Sequence, residues 1–327
     1  MSIDWARFAE RIHSHERFLL TSHMRADCDA LGSELGMAGV LESLGKSVVI
    51  VNGDGVPPHI RFMDPQGRIR VLNQDVFASD LADRDAMMVL DTSAWGQLGP
   101  MADVLRAFPG TRLVVDHHVS EDDFAAEAFK DPTAEATGRL VVEAAEALGV
   151  ELTAEMAVPL FAAIATDTGW FRFSSVTAQT YAATAKLVAA GASPAGVFAE
   201  LYERNSLARI RLHGRIVASA ESFCGGIALH AAATAEDFRR TGAELTDTED
   251  VVNRLLTVAG VRCAVLFVEV AAAKTKVSLR GRSGVDVRSV AERFGGGGHT
   301  QAAGISLAMP LAQARAAVLD AVEKAVG

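Results

Sequence analysis

In the first third of the chain, apolar residues form short continuous runs separated by longer stretches with helical spacing. Four runs stand out: FLLTSH at 18–23, SVVIVNG at 47–53, AMMVLD at 86–91 and TRLVVD at 111–116. Their lack of polar alternation is the pattern of strands buried on both faces. Between the first two runs, Leu31, Leu35, Ala38, Leu41 and Leu44 recur at helical spacing and Gly45 stops the series, predicting a helix over 30–44. Alternation of strand and helix predicts a parallel sheet with crossover helices. Ala- and Val-rich helical patterns follow at 135–148, 153–165 and 177–190, ending at Gly191-Ala192-Ser193-Pro194.

Beyond that break the pattern changes. The stretch 201–223 carries Arg204, Arg209, Arg211, His213 and Arg215 at helix-like spacing, predicting a connecting helix whose basic face is solvated or turned to an interdomain cleft. Strands are expected at 225–232, 261–271 and 275–282, with helices at 247–257 and 286–294. The expected organisation is an α/β domain over 1–190, a helical linker over 191–222 and a smaller α/β domain over 223–327.

Composition narrows the function classes. With 327 residues, 50% hydrophobic and 22% charged, the chain can bury substantial cores, which excludes disorder and collagen-like structure. Its net charge of −10 argues against long-range attraction to polymeric nucleic acid or an anionic membrane, so any nucleic-acid substrate is expected to be short. The three cysteines, Cys28, Cys224 and Cys263, lack CxxC spacing, so neither a disulfide framework nor a zinc knuckle is expected, and a reducing cytoplasm fits. No export or membrane segment is expected: the start of the chain, from Met1 to Arg7, has no apolar stretch, and the run Cys263–Ala273 is short and broken by Glu269.

Candidate chemistry sits where the first-domain strands end: His23, Asp27 and Asp29 after the first, Asp91 after the third, and Asp116, His117 and His118 after the fourth. In an open parallel sheet that edge is where ligands bind. Taken singly, Asp27 or Asp29 reads as a helix cap, Asp91 as a turn residue and either histidine as a hydrogen-bonded core group. Taken together, clustered carboxylates repel one another unless cations neutralise them. Imidazole with carboxylate suits a first-row ion such as Mn²⁺. The segment Gly39-VLESL-Gly45-Lys46-Ser47 imitates a phosphate loop, but its spacing is wrong and it lies between a helix and a strand in reversed order, so no nucleoside-triphosphate site is assigned there.

These residues stand in recognisable phrases. HMRADCDALGS from His23, VLDTS around Asp91, VDHH ending at His118 and ATDTGWF around Asp167 resemble the four ordered motifs of the DHH phosphoesterase family. SLRGRS at 278–283 and GGGGHTQAAG at 295–304 resemble its DHHA1 domain. The resemblance covers nearly the whole chain and is nearest to the nanoRNase and 3′-phosphoadenosine-5′-phosphate phosphatase branch. Two departures stand out: Ala26 where the family commonly has proline, and Trp95-Gly96-Gln97 where an arginine is often found.

The resemblance implies an α/β parallel-sheet DHH domain with helices on both faces plus a smaller α/β DHHA1 domain. It further implies two divalent cations, Mn²⁺ ahead of Mg²⁺, with His23 and Asp27 on one, Asp29, His117 and Asp167 on the other, and Asp91 bridging. Asp116 then orients an imidazole and His118 contacts the scissile phosphate. Arg280, Gly297, Gly298 and His299 become the substrate clamp, with Thr300–Ala303 expected to begin a helix behind an anion-binding glycine loop; Arg282 is expected on the same strand face as Arg280. Trp170, Phe171 and Phe173 are expected in the core rather than as a stacking platform. The activity implied is hydrolysis of short oligoribonucleotides to nucleoside 5′-monophosphates, with 3′-phosphoadenosine 5′-phosphate as a further substrate, by a homodimer. Competing readings are a cyclic or linear dinucleotide phosphodiesterase, a RecJ-like single-strand exonuclease, an inorganic pyrophosphatase or polyphosphatase, and a nonhydrolytic nucleotide- or RNA-binding module.

Overall fold

A computed structural model describes residues 3–119, 121–282 and 284–326. Met1, Ser2 and Ser283, the last being the final residue of the SLRGRS phrase, lie outside the described residues. The chain divides into two units, one up to Arg204 and one from Asn205.

The first unit runs α1 (Trp5–His13), β1 (Arg17–Thr21), α2 (Cys28–Ser43), β2 (Ser47–Asn52), β3 (Ile69–Val71), β4 (Ala86–Leu90), α3 (Met101–Ala107), β5 (Thr111–Asp116), β6 (Glu127–Lys130), α4 (Thr137–Ala147), α5 (Ala154–Asp167), α6 (Ala178–Ala189) and α7 (Pro194–Tyr202). Its six strands are ordered β3-β2-β1-β4-β5-β6, and every pairing is parallel. Alternate residues feed two separate cores, one on each face. Phe18, Leu20, Met88, Leu113 and Val115 pack under α2, α4 and α5; Leu19, Val51, Met87, Val89 and Val114 pack toward α3. Burial on both faces explains why these strands read as unbroken apolar runs.

Helices α2 and α5 pack closely because glycines line the contact. A Cβ on Gly32 would lie 2.4 Å from the Pro159 carbonyl oxygen, and one on Gly36 would lie 2.6 Å from Leu160. The close approach brings Asp29, in the first turn of α2, toward the site reached by Asp167, the last residue of α5.

The second unit runs α8 (Leu207–Ala218), β7 (Glu221–Phe223), β8 (Ala228–Ala233), α9 (Ala235–Thr241), α10 (Val251–Leu255), β9 (Cys263–Ala271), β10 (Lys274–Gly281), α11 (Val287–Glu292), β11 (Gly297–His299), β12 (Ala302–Leu307) and α12 (Leu311–Val326). Its mixed sheet is ordered β11-β12-β10-β9-β8-β7, with only β8 and β9 parallel. One face is covered by α11 and α12, the other by α8 and α10.

The stretch 191–222, expected as a linker, is shared between the units. Val197 of α7 packs into the first core, whereas Leu212 and Ile216 of α8 pack into the second. Three basic residues of α8 bond within their own unit: Arg209 donates to the Glu249 carbonyl, His213 bonds the Asp247 carbonyl at 2.7 Å, and Arg215 pairs with Asp237 at 2.5 Å, while Arg211 is exposed. The expected helix at Thr300–Ala303 is absent. Gly297–His299 and Ala302–Leu307 instead form an antiparallel hairpin. Gly298, at φ +139, sits where a Cβ would come within 2.4 Å of the Ala302 carbonyl oxygen, so the glycines serve strand closure rather than a helix N-terminus.

Candidate metal centre

In strand order, the chain leaves the sheet centre one way through β2 and β3 and the other way through β4 to β6, so the crevice between β1 and β4 is the switch point where open parallel sheets bind ligands. The loop after β1 delivers His23, and the turn after β4 delivers Asp91. Asp91 is buried and holds a left-handed backbone at φ +62, an unfavourable conformation for a side chain with a Cβ, fixed by its N–H donating to the Val115 carbonyl. β5 ends in Asp116, placing His117 and His118 beside it.

The side chains converge on Asp91. His23 Nε2 lies 3.4 Å from Asp91 Oδ2 and 4.0 Å from Asp27 Oδ1. His117 Nε2 lies 3.5 Å from Asp91 Oδ1, 3.5 Å from Asp167 Oδ2 and 3.7 Å from Asp29 Oδ2. Among the described residues, three groups have donor atoms close enough to share an ion: His23, Asp27 and Asp91; Asp29, His117 and Asp167; and Asp91, His117 and His118.

The tautomers indicate what the cluster needs. His23 Nδ1 faces the Met24 carbonyl at 3.0 Å, and His117 Nδ1 faces the Ala134 carbonyl at 3.2 Å. A carbonyl only accepts, so each Nδ1 carries hydrogen, and each Nε2, which in the neutral ring bears a lone pair, faces carboxylate oxygens. Lone pairs facing one another at 3.4 to 3.7 Å repel unless a cation or an extra proton lies between them. Burial raises Asp91 well above the ordinary carboxylate range, with Asp29, Asp27 and Asp167 adding repulsion. Burial likewise raises Asp29, against the pull of His117. Asp167 is pushed up to about 8 by burial and then by Asp29 and Asp27. This donor set fits divalent cations.

Capping and ligand roles coexist here. Asp27 Oδ1 accepts from the N–H groups of Asp29 and Ala30 and so caps α2. Asp29 caps a different helix: its two oxygens accept from Thr137 N–H at 2.7 Å and Gly138 N–H at 2.8 Å, at the start of α4. The Thr137 hydroxyl donates to Asp91. Cys28, between the two aspartates, is buried. Burial, reinforced by Asp27, pushes its thiol up to about 12.

His118 is held differently from His117. Its Nδ1 lies 2.9 Å from Asp116 Oδ1, which also accepts the His118 N–H, leaving Nε2 free on a half-exposed ring. The Asp116 bond raises the His118 pKa against the opposing effect of burial. Burial works to raise Asp116, yet bonds from His118 and Ser93 hold it at about 2. Lys130 Nζ approaches Asp116 Oδ2 at 3.2 Å and donates to Ser93 Oγ.

Of the aromatics after Asp167, Trp170 packs edge-on against Phe161, Phe198 and Tyr202, and Phe171 stacks on Tyr181. Phe173 departs from the core expectation: it is 54% exposed, its ring lying over Gly169. Gly169 and Trp170 both have positive φ, a tight reversal directly after the Asp167 turn that sends Trp170 inward and leaves Phe173 outside.

In the second unit, register aligns the expected clamp. Ala302 pairs with Arg280 on one side and His299 on the other. Directly paired residues share a face, so Arg280 and His299 project from the same side about 10 Å apart. Arg282 lies beyond β10, with its guanidinium donating to the Leu256 carbonyl at 2.7 Å. It does not continue the strand face of Arg280.

The described sequence-nominated ligands thus meet at one edge, while Thr137, Ser93 and Lys130, which bond Asp29, Asp91 and Asp116, are residues that the sequence reading missed. Residues 17–164 match the model of the DHH family N-terminal domain, and residues 228–327 match the DHHA1 domain. A Thermus thermophilus protein named bifunctional oligoribonuclease and PAP phosphatase NrnA is 32% identical over 93% of this chain and 89% of its own. The chain belongs to the DHH–DHHA1 phosphoesterase family. A Bacillus subtilis protein of the same name is 26% identical to this phosphoesterase over 90% of this chain and 91% of its own. The fold is shared with the crystal structure of an exopolyphosphatase-related protein from Bacteroides fragilis, at a TM-score of 0.88 and 24% identity, covering 98% of this chain and 95% of that one.

Proposed function

We propose that this phosphoesterase is a Mn²⁺-dependent hydrolase that releases nucleoside 5′-monophosphates from very short oligoribonucleotides and also dephosphorylates 3′-phosphoadenosine 5′-phosphate. The observation that carries the reading is the meeting of the His23 and His117 Nε2 atoms with the carboxylates of Asp27, Asp29, Asp91 and Asp167. His23, Asp27 and Asp91 would hold one cation, and Asp29, His117 and Asp167 would hold the second. When bound, the pair supplies Lewis acidity toward water and phosphoryl oxygens. The relatives' names support the substrate class, and the acidic surface favours short ends over a long polymer.

The chain's residues do the orienting. Asp116 fixes His118 and, by raising its pKa, favours the doubly protonated ring whose Nε2–H donates to a phosphate oxygen. Arg280 and His299 contact a second substrate phosphate, and Gly297, where a Cβ would meet no neighbour, lets the backbone approach it beside Gly298, which closes the hairpin. The enzyme works as a cytoplasmic homodimer.

The test is hydrolysis of dinucleotides, five- and twenty-residue RNA and 3′-phosphoadenosine 5′-phosphate with added Mn²⁺, comparing wild type with Asp91→Ala. Turnover of the short substrates by wild type alone is expected. Equal activity in the variant rejects the dinuclear centre, and binding without turnover in wild type favours a nonhydrolytic module.

A further inference from the structure

The loop from Ser22 to Asp27 carries two of the proposed ligands, yet it has Ala26 rather than a ring-constrained residue before Asp27. Its rigidity must come from its contacts. Those contacts lead to the carboxyl end of β2, a segment with no assigned part in the chemistry.

Asn52 is buried, and both its amide oxygen and its amide nitrogen are bonded. Its Oδ1 accepts from Ser22 N–H at 3.1 Å and from the Thr21 hydroxyl at 3.2 Å, while its Nδ2 donates to Glu34 Oε2 at 2.9 Å. Glu34 lies wholly buried in the middle of α2, where a carboxyl group is costly without a partner. Its link to Asn52 ties α2, β2 and the end of β1 together directly before His23. Two residues after Asn52, Asp54 Oδ2 accepts from Arg25 N–H at 2.8 Å, holding Arg25 in a left-handed conformation at φ +55. Between these points, Met24 N–H donates to the Gln97 carbonyl at 2.7 Å. The Met24 sulfur lies 2.5 Å from where a Cβ on Gly53 would be, so Gly53 is the residue that lets this loop close down on β2.

We propose that Asn52 and Asp54 are positioning residues for the metal centre, clamping the loop on either side of His23 and Met24 and so aiming the His23 ring at Asp27 and Asp91. The clamp rests on the metal-centre reading above. It supplies from a neighbouring strand the stiffness that Ala26 does not provide. Outer partners of metal ligands commonly contribute about 10- to 100-fold in metal affinity, because a ligand free to swing loses pre-organisation.

The test is Mn²⁺ titration of the metal-stripped full-length protein, followed by the free-ion electron paramagnetic resonance signal, with thermal unfolding of each metal-free form in parallel. Asp54 is only half-buried, so Asp54→Ala is the principal variant, and the buried Asn52→Ala is the second. Asp54→Ala is expected to weaken one Mn²⁺ site about 10- to 100-fold, whereas Asp54→Asn, which keeps an oxygen for Arg25 N–H, retains wild-type affinity. Wild-type Mn²⁺ affinity in Asp54→Ala, or loss of thermal stability alone, overturns the positioning role while leaving the centre standing. A wild-type protein that binds no Mn²⁺ overturns the centre and the clamp together.

Discussion

The Thr137 hydroxyl donates to Asp91 Oδ1 at 2.9 Å, across 46 positions of sequence, while its own N–H holds Asp29. One residue at the head of α4 thus orients two carboxylates of the cluster. Thr137→Val keeps the shape and the N–H but removes the hydroxyl, leaving Asp91 short of a donor. Turnover should fall about 10- to 100-fold, as for other outer partners of metal ligands, and Thr137→Ser should retain most of it. Steady-state hydrolysis of a dinucleotide compares the two.

Glu34 predicts a pH dependence of stability. Burial pushes its carboxyl up to about 8, with the bond from Asn52 opposing. The folded state therefore holds this proton where the unfolded state has released it. Its stabilising contribution is complete below the ordinary glutamate range near 4.5 and is lost as pH rises toward about 8. Across that window, Glu34→Gln should gain on wild type by about 1.4 kcal/mol per pH unit, with the difference levelling off above it. Urea unfolding of the metal-free proteins from pH 5 to 9 measures the gap; parallel curves would show that Glu34 does not titrate there.

Arg280 and His299 flank Ala302 on one sheet face, far in sequence from every proposed metal ligand. Arg280→Ala should raise KM about 10- to 100-fold, the cost of losing one charge-assisted bond to phosphate. Metal content, read by elemental analysis, should be unchanged. Metal loss in this variant would contradict its assignment to substrate.

Phe173 presents an exposed ring two residues beyond the Trp170–Phe171 packing pair. Stacking of a nucleobase there predicts that Phe173→Ala raises KM for a dinucleotide by about tenfold, with Phe173→Tyr close to wild type. Equal KM values for all three proteins would leave Phe173 as surface alone.

Legibility in the sequence followed from how local each signal is. β1, β2, β4 and β5 could be read because burial on both faces leaves unbroken apolar runs. The edge strands β3, with three residues, and β6, with four, are too short to show a period. The β11–β12 hairpin was hidden because its glycines look alike whether they face an anion or a neighbouring carbonyl. At the site, the metal-ligand types announced themselves by clustering at strand ends. Thr137 and Asn52 did not, because an ordinary threonine or asparagine gains its role only from a partner distant in sequence.

Cys28 sits between Asp27 and Asp29, yet burial pushes its thiol up to about 12, so thiolate is scarce there at neutral pH. Thiolate is the form that attacks oxidants and captures soft ions. Peroxide should therefore react first at the partly exposed Cys224, in the other unit. Handling in air would leave the sulfur beside Asp27 and Asp29 reduced.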